Sequence, residues 1–173
     1  MSNQDAIPTF KCLLVGDNKC GKTSFIKSLL STTFDQYKYT KTHIVDVHAL
    51  IFQTSIGPIQ FVIWDLTGDQ HLGPIHNRYY QDADCVIVMF DITNQESYDH
   101  ALDWQYKVKQ ICHEIPVVFV GNKYDLILTR VSKTSVCDYN HLNYLKISNK
   151  YEYHILEPIQ YLTNILMPVS KLE

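Results

Sequence analysis

The chain has 173 residues, 46% apolar and 19% charged, which is enough for one packed core and gives no compositional case for disorder. A formal net charge of -3 speaks against a surface built to bind nucleic acid non-specifically, since that needs a basic excess. The five cysteines (Cys12, Cys20, Cys85, Cys112, Cys137) form no CxxC pair and sit mostly in apolar runs, so a reducing compartment is expected rather than a disulfide framework or zinc module.

In chain order, the pattern predicts a strand over Phe10–Gly16 and a helix over Lys22–Ser31. Strands at Ile44–Thr54 and Ile59–Leu66 follow, joined by the turn Ser55-Ile56-Gly57-Pro58 as an antiparallel hairpin. A helix is expected at Leu72–Gln81, a strand at Cys85–Ile92 and a helix at Glu96–His113. The last elements are strands at Ile115–Gly121 and Tyr144–Ser148 and a helix at Tyr153–Met167. Runs such as Val86-Ile87-Val88-Met89-Phe90 have the look of parallel strands buried on both faces. The expectation is a single α/β domain over residues 1–173, with its core at 10–168: a six-stranded, mostly parallel sheet with one antiparallel strand and helices on both faces.

Gly16-Asp17-Asn18-Lys19-Cys20-Gly21-Lys22-Thr23 matches G-x-x-x-x-G-K-S/T, between an apolar run and a helix pattern. Glycines at that spacing let successive N–H groups converge on a polyphosphate at a helix N-terminus. Lys22 then supplies a cation to the β- and γ-phosphates, and Thr23, followed by Ser24, offers a hydroxyl to Mg²⁺. Asp65-Leu66-Thr67-Gly68 follows the third strand, where Asp65 can hold the Mg²⁺ shell through water and the Gly68 N–H can reach a γ-phosphate. Asn122-Lys123-Tyr124-Asp125 follows the fifth strand. A carboxylate at Asp125 accepts two N–H bonds from the guanine edge, whereas adenine presents it with an acceptor, and that mismatch discriminates strongly. The fold expected is therefore a P-loop NTPase of small G-domain type, and the ligands are GTP or GDP with Mg²⁺.

These motifs, in this order, resemble a small Ras-type GTPase and, more narrowly, the Ran branch of that superfamily. The resemblance covers roughly residues 10–167. It is most specific from Val47-His48 through Leu50, Phe52, Thr54, Gly57-Pro58-Ile59 and Phe61 to Trp64-Asp65, with Tyr79-Tyr80, Met89-Phe90-Asp91 and Cys112 with Ile115-Pro116 in the same pattern. By that resemblance Phe34 lies against the base, Ser148-Asn149-Lys150 form the last guanine-contacting turn, and Thr42 closes over Mg²⁺ in the GTP state, with Thr40 the alternative. The resemblance further implies importin-β-type transport receptors and a nucleotide exchange factor as partners, a monomer shared between cytoplasm and nucleus, and no direct nucleic-acid binding. The sequence shows no apolar run near the ~20 residues a membrane helix needs. Residue 2 is Ser2, not the glycine of N-myristoylation, and Cys137 lies far from the end, so no membrane anchor is expected.

The departures from that pattern concern turnover. Where Ran-like chains carry Gln to orient the attacking water, this one has Asp69, with Gln70 one position late. Asn18 and Lys19 replace small residues in the phosphate loop, and the GDxxCGKT form looks closest to Rho-like proteins that hydrolyse GTP poorly. Between Leu126 and Leu145 the only cations are Arg130 and Lys133, where Ran is much more basic. Two functions follow: a GTP-driven switch with impaired hydrolysis, or a Ran-like module that holds nucleotide and occupies transport receptors or their regulators. An ATP-using P-loop kinase is disfavoured by Asp125 and by the lack of an Arg-rich lid. The eight histidines show no HxxxH spacing on a plausible helix, His71 and His76 read as partner contacts or surface residues, and Cys20 reads as a space-filling residue in the loop.

Overall fold

The computed structural model describes residues 6–32, 45–66, 77–112, 114–129 and 144–168. Among them six strands form one sheet: β1 (Thr9–Val15), β2 (Val45–Thr54), β3 (Gly57–Leu66), β4 (Cys85–Asp91), β5 (Val117–Asn122) and β6 (Tyr144–Lys146). The helices are α1 (Lys22–Thr32), α2 (Gln95–Cys112), α3 (Tyr124–Thr129) and α4 (Glu157–Leu166). The strand order is β2-β3-β1-β4-β5-β6, with only the β2–β3 pair antiparallel, as the α/β expectation required.

Alternation along each strand explains why apolar runs were needed on both faces. On β1, Cys12 and Leu14 join a cluster with Phe25, Ile26 and Leu29 of α1 and Ile159 and Leu162 of α4. Leu13 and Val15 enter the opposite cluster with Tyr98, Ala101, Trp104 and Val108 of α2. On β4, Ile87 and Met89 go to the first cluster and Val86, Val88 and Phe90 to the second. Each fully buried Val, Leu, Ile, Phe or Met among them contributes about 1.5–3 kcal/mol relative to exposure. These contacts fix the helices on their faces and leave the strand ends to carry chemistry.

Several predicted boundaries change: the fifth strand starts at Val117, not Ile115, and the sixth ends at Lys146, not Ser148. The hairpin turn is only Ser55-Ile56, and β3 begins at Gly57, two residues earlier than expected. Thr54 pairs with Gly57 and its hydroxyl donates to the Gly57 carbonyl at 2.7 Å, while Gly57 takes φ 111°, a value that favours glycine. Pro58 fits inside the strand because β1 pairs with β3 only from Gln60 onward, so no ladder bond misses its N–H. The last helix starts at Glu157, not Tyr153: residues 149–152 form turns, Ser148 and Tyr153 bridge, and Pro158, which suits only a first turn, marks the start. The expected helix at Leu72–Gln81 is described only from residue 77, and 78–82 form turns. The helix α3 was not predicted, because six residues are too few for a periodic signal.

Candidate nucleotide-binding site

The order of strands reverses at β1: the chain proceeds to β2 and β3 on one side and to β4, β5 and β6 on the other. In an open parallel sheet such a reversal opens a crevice beyond the strand ends, and the 16–21 loop sits there between β1 and α1. Two glycines make the loop possible. A Cβ on Gly16 (φ 140°) would stand 2.0 Å from the Met89 carbonyl oxygen, and one on Gly21 (φ 109°) would stand 2.2 Å from Asn122 Nδ2. Lys19 adopts φ 67°, completing the curl, and both it and Asn18 are exposed. Lys22 is buried, and its Nζ donates to the carbonyl oxygens of Gly16 and Asp17 at 2.7 and 2.8 Å, which holds the ammonium inside the loop.

Thr23, on the first turn of α1, donates its hydroxyl to Asp65 Oδ2 at 2.9 Å. Asp65 comes from the end of β3, in register with Leu14 of β1, and is buried. Burial pushes its carboxyl up from the ordinary carboxylate range, against the Thr23 hydrogen bond and the Lys22 charge. A hydroxyl and a half-compensated buried carboxylate beside a lysine suit a hard divalent cation bound through oxygen and water, so the donor set fits Mg²⁺.

The opposite end of the crevice is built from β5 and the turn after β6. Asn122 is buried; its Nδ2 donates to the Cys20 carbonyl at 2.8 Å and its Oδ1 accepts from Asn149 N at 3.2 Å. Asn149 Nδ2 donates to the Gly21 carbonyl at 2.9 Å, while its buried Oδ1 has no hydrogen-bond partner in the protein. Ser148 donates its hydroxyl to Asp125 Oδ1 at 2.7 Å. Lys123, at φ 66°, forms an ion pair with Asp91 at 2.6 Å. Burial alone would raise the Asp91 carboxyl, but hydrogen bonds from Lys123 and Thr93 outweigh it and hold it below the usual range. Between these groups lies a cavity of about 490 Å³, lined by Lys19 and Gly21 from the first loop, Ser24 from α1, Lys123 and Asp125 after β5, and Asn149 and Lys150 after β6. A cavity of that size with a carboxylate at one end and a lysine-bearing loop at the other fits a nucleotide.

The model of the Ras family matches residues 11–167. The chain belongs to the Ras family. Members of this family of small GTPases bind guanine nucleotides, typically with Mg²⁺.

The Ras-family fold thus brings together Gly16 to Ser24, Asp65, Asn122, Lys123, Asp125, Ser148, Asn149 and Lys150. Phe34, Thr40, Thr42, Gly68, Asp69 and Gln70 lie outside the described residues, as do His71, His76, Arg130, Lys133 and Cys137. Burial pushes the Cys20 thiol up, which keeps it protonated and agrees with a space-filling role in the loop.

Two groups around the site had escaped sequence reasoning. The Asp17 carboxylate meets His100 Nδ1 at 2.6 Å and accepts from Trp104 Nε1 at 3.1 Å, both on α2. Asp91 anchors Lys123 from the end of β4. The only available signal was chemical: a buried indole N–H needs an acceptor, and an acid ending an apolar strand needs a donor.

Proposed function

We propose that the chain is a guanine-nucleotide switch of Ran type that hydrolyses GTP slowly. The observation that carries the nucleotide reading is one cavity lined by Lys19, Gly21 and Ser24 on one side and by Lys123, the Ser148-held Asp125 and Asn149 on the other, with Lys22 and the Thr23–Asp65 pair following directly on the loop. Lys22 and the N–H groups of the 16–21 loop would hold the phosphates, and Asp125 would accept from the guanine edge. Thr23 directly, Thr42 in the GTP state and Asp65 through water would hold Mg²⁺, which when bound neutralises phosphate charge. Identifying the nucleotide that co-purifies with the protein, followed by competition between GTP and ATP, tests this. Binding of ATP within tenfold of GTP would overturn it.

Slow hydrolysis rests on Asp69, at the position that carries Gln in Ran-like chains. Asp is shorter than Gln, cannot donate an amide N–H, and adds negative charge where phosphate charge must be stabilised. Asn18, exposed on the loop, would crowd the room that an incoming arginine finger needs. The same observations favour a second reading, a module that binds nucleotide and occupies transport receptors or their regulators without turning GTP over.

The Ran-type role draws its support from the hairpin between Val47 and Trp64, whose residues follow the Ran pattern across β2 and β3. Importin-β-type receptors and an exchange factor are the partners this implies, with the protein moving between cytoplasm and nucleus. GTP-loaded protein should recover such a receptor in a pull-down and GDP-loaded protein should not. Recovery of none in either state would remove the transport role and leave the nucleotide switch.

A further inference from the structure

Asp17 does two things in the loop. Its backbone carbonyl accepts from Lys22 Nζ at 2.8 Å, so its position helps set where the ammonium sits. Its carboxylate is fully committed elsewhere: Oδ2 to His100 and Oδ1 to Trp104. Those two residues are four apart on α2 and share one face of it. Trp104 is 2% exposed and packed in the cluster that joins α2 to β4, so the indole is a fixed post. His100 is more than one-third exposed and open to proton exchange with solvent. The chain of contacts runs from a core helix, through one carboxylate, to the carbonyl that grips the loop lysine.

The geometry points to His100 and Trp104 as positioning residues that clamp the phosphate loop through Asp17, with the grip strongest when His100 is protonated. This rests on the nucleotide reading above. Among the described residues, the charged groups that act on the imidazole are acidic: Asp17 from the loop, and Glu96 and Asp103 from its own helix. Hydrogen bonding to Asp17, opposed by burial and helped by those charges, raises the pKa of His100 above its ordinary 6.5. The charged clamp is therefore complete below about pH 6.5 and is lost as pH rises through the raised value. A neutral ring that keeps its proton on Nδ1 still donates to Asp17 but without the charge, so the grip weakens and does not vanish.

The test uses the full chain loaded with a fluorescent N-methylanthraniloyl GDP and Mg²⁺, with release followed after adding excess GDP from about pH 5.5 to 8.5. Wild-type release should accelerate about threefold to tenfold across that range, the factor carried by up to one tenfold step in binding. His100→Ala should release quickly at every pH, with a flat profile. Trp104→Phe, which keeps the ring and loses the donor, should release faster than wild type while keeping the pH slope. A flat wild-type profile, or an unchanged slope in His100→Ala, would overturn the clamp, as would a His100→Ala melting shift without any change in release. Failure of the wild-type protein to load at any pH would count against the nucleotide reading itself.

Discussion

Asn122 is the joint at which the base end of the crevice meets the phosphate end, and replacing it isolates that coupling. The side chain is 2% exposed and makes two hydrogen bonds, to the Cys20 carbonyl at 2.8 Å and from Asn149 N at 3.2 Å. Asn122→Ala removes both and leaves two backbone groups short of a partner. Each costs about 1–3 kcal/mol if it finds no other, so the total is about 3 kcal/mol. For a chain of this length that corresponds to a melting-point loss of about 6–12 °C, measured by circular dichroism at one fixed GDP concentration, with the ligand-linkage contribution calculated from each variant's own Kd and subtracted. Asn122→Asp sharpens the test. It keeps an acceptor for Asn149 N but sets a carboxylate oxygen against the Cys20 carbonyl in a buried site, and burial favours the protonated form, which can donate. The folded-state pKa is then raised above the unfolded ~3.9, so the penalty is absent below that value and grows as pH rises through the raised one. The Asp variant should melt near wild type at about pH 4 and below the Ala variant at about pH 8. If the Ala variant melts within about 2 °C of wild type, and the Asp variant shows no pH dependence beyond wild type, the two hydrogen bonds do not carry the joint.

Asp125→Asn should shift the preference from guanine towards xanthine nucleotide, because the new amide donates where guanine's amino group had been. Competition titration of the variant with both nucleotides checks it, and unchanged guanine preference would refute the role of Asp125. Chelating Mg²⁺ should accelerate release of nucleotide by orders of magnitude, since the Thr23–Asp65 pair would otherwise share the cation; an unchanged off-rate in excess chelator would refute it. Single-turnover GTP hydrolysis should stay near or below the ~3–5 × 10⁻⁴ s⁻¹ of an unstimulated Ras-type enzyme and respond little to a Ran-type activating protein. Asp69→Gln alone should recover little while Asn18 remains, and a Ran-like stimulated rate in the wild type would refute this.

The sheet was legible because its signal is strong and redundant. Strands such as Cys85–Asp91 are apolar up to their final acid, and the structure shows why, with alternate residues feeding opposite clusters. The phosphate loop was legible because its glycines have no substitute: each lacks room for a Cβ. What escaped was the network around the motifs. His100, Trp104 and Asp91 are ordinary residues in sequence, and they acquire meaning only when the fold places them against Asp17 and Lys123, with the α2 pair 83 and 87 positions from its partner. Boundaries slipped where one residue decides them, as Pro158 does for α4. The hairpin turn shortened because a glycine and a proline that read as loop proved compatible with a strand at the sheet's margin.

The loop that opens the site is closed by residues far downstream. Gly21 receives its bond from Asn149, 128 positions later, and Cys20 receives its bond from Asn122, 102 positions later. Local pairing completes β2 and β3 early, since a two-residue turn joins them, but the cradle waits for contacts more than a hundred positions apart. A ribosome making about 5–20 residues per second exposes the phosphate loop seconds before the segment that braces it. During that interval the newborn chain carries a recognisable motif without a working pocket. Assembly of the pocket therefore reports that synthesis has passed residue 149, and shortened products that stop before it would lack the brace on Gly21.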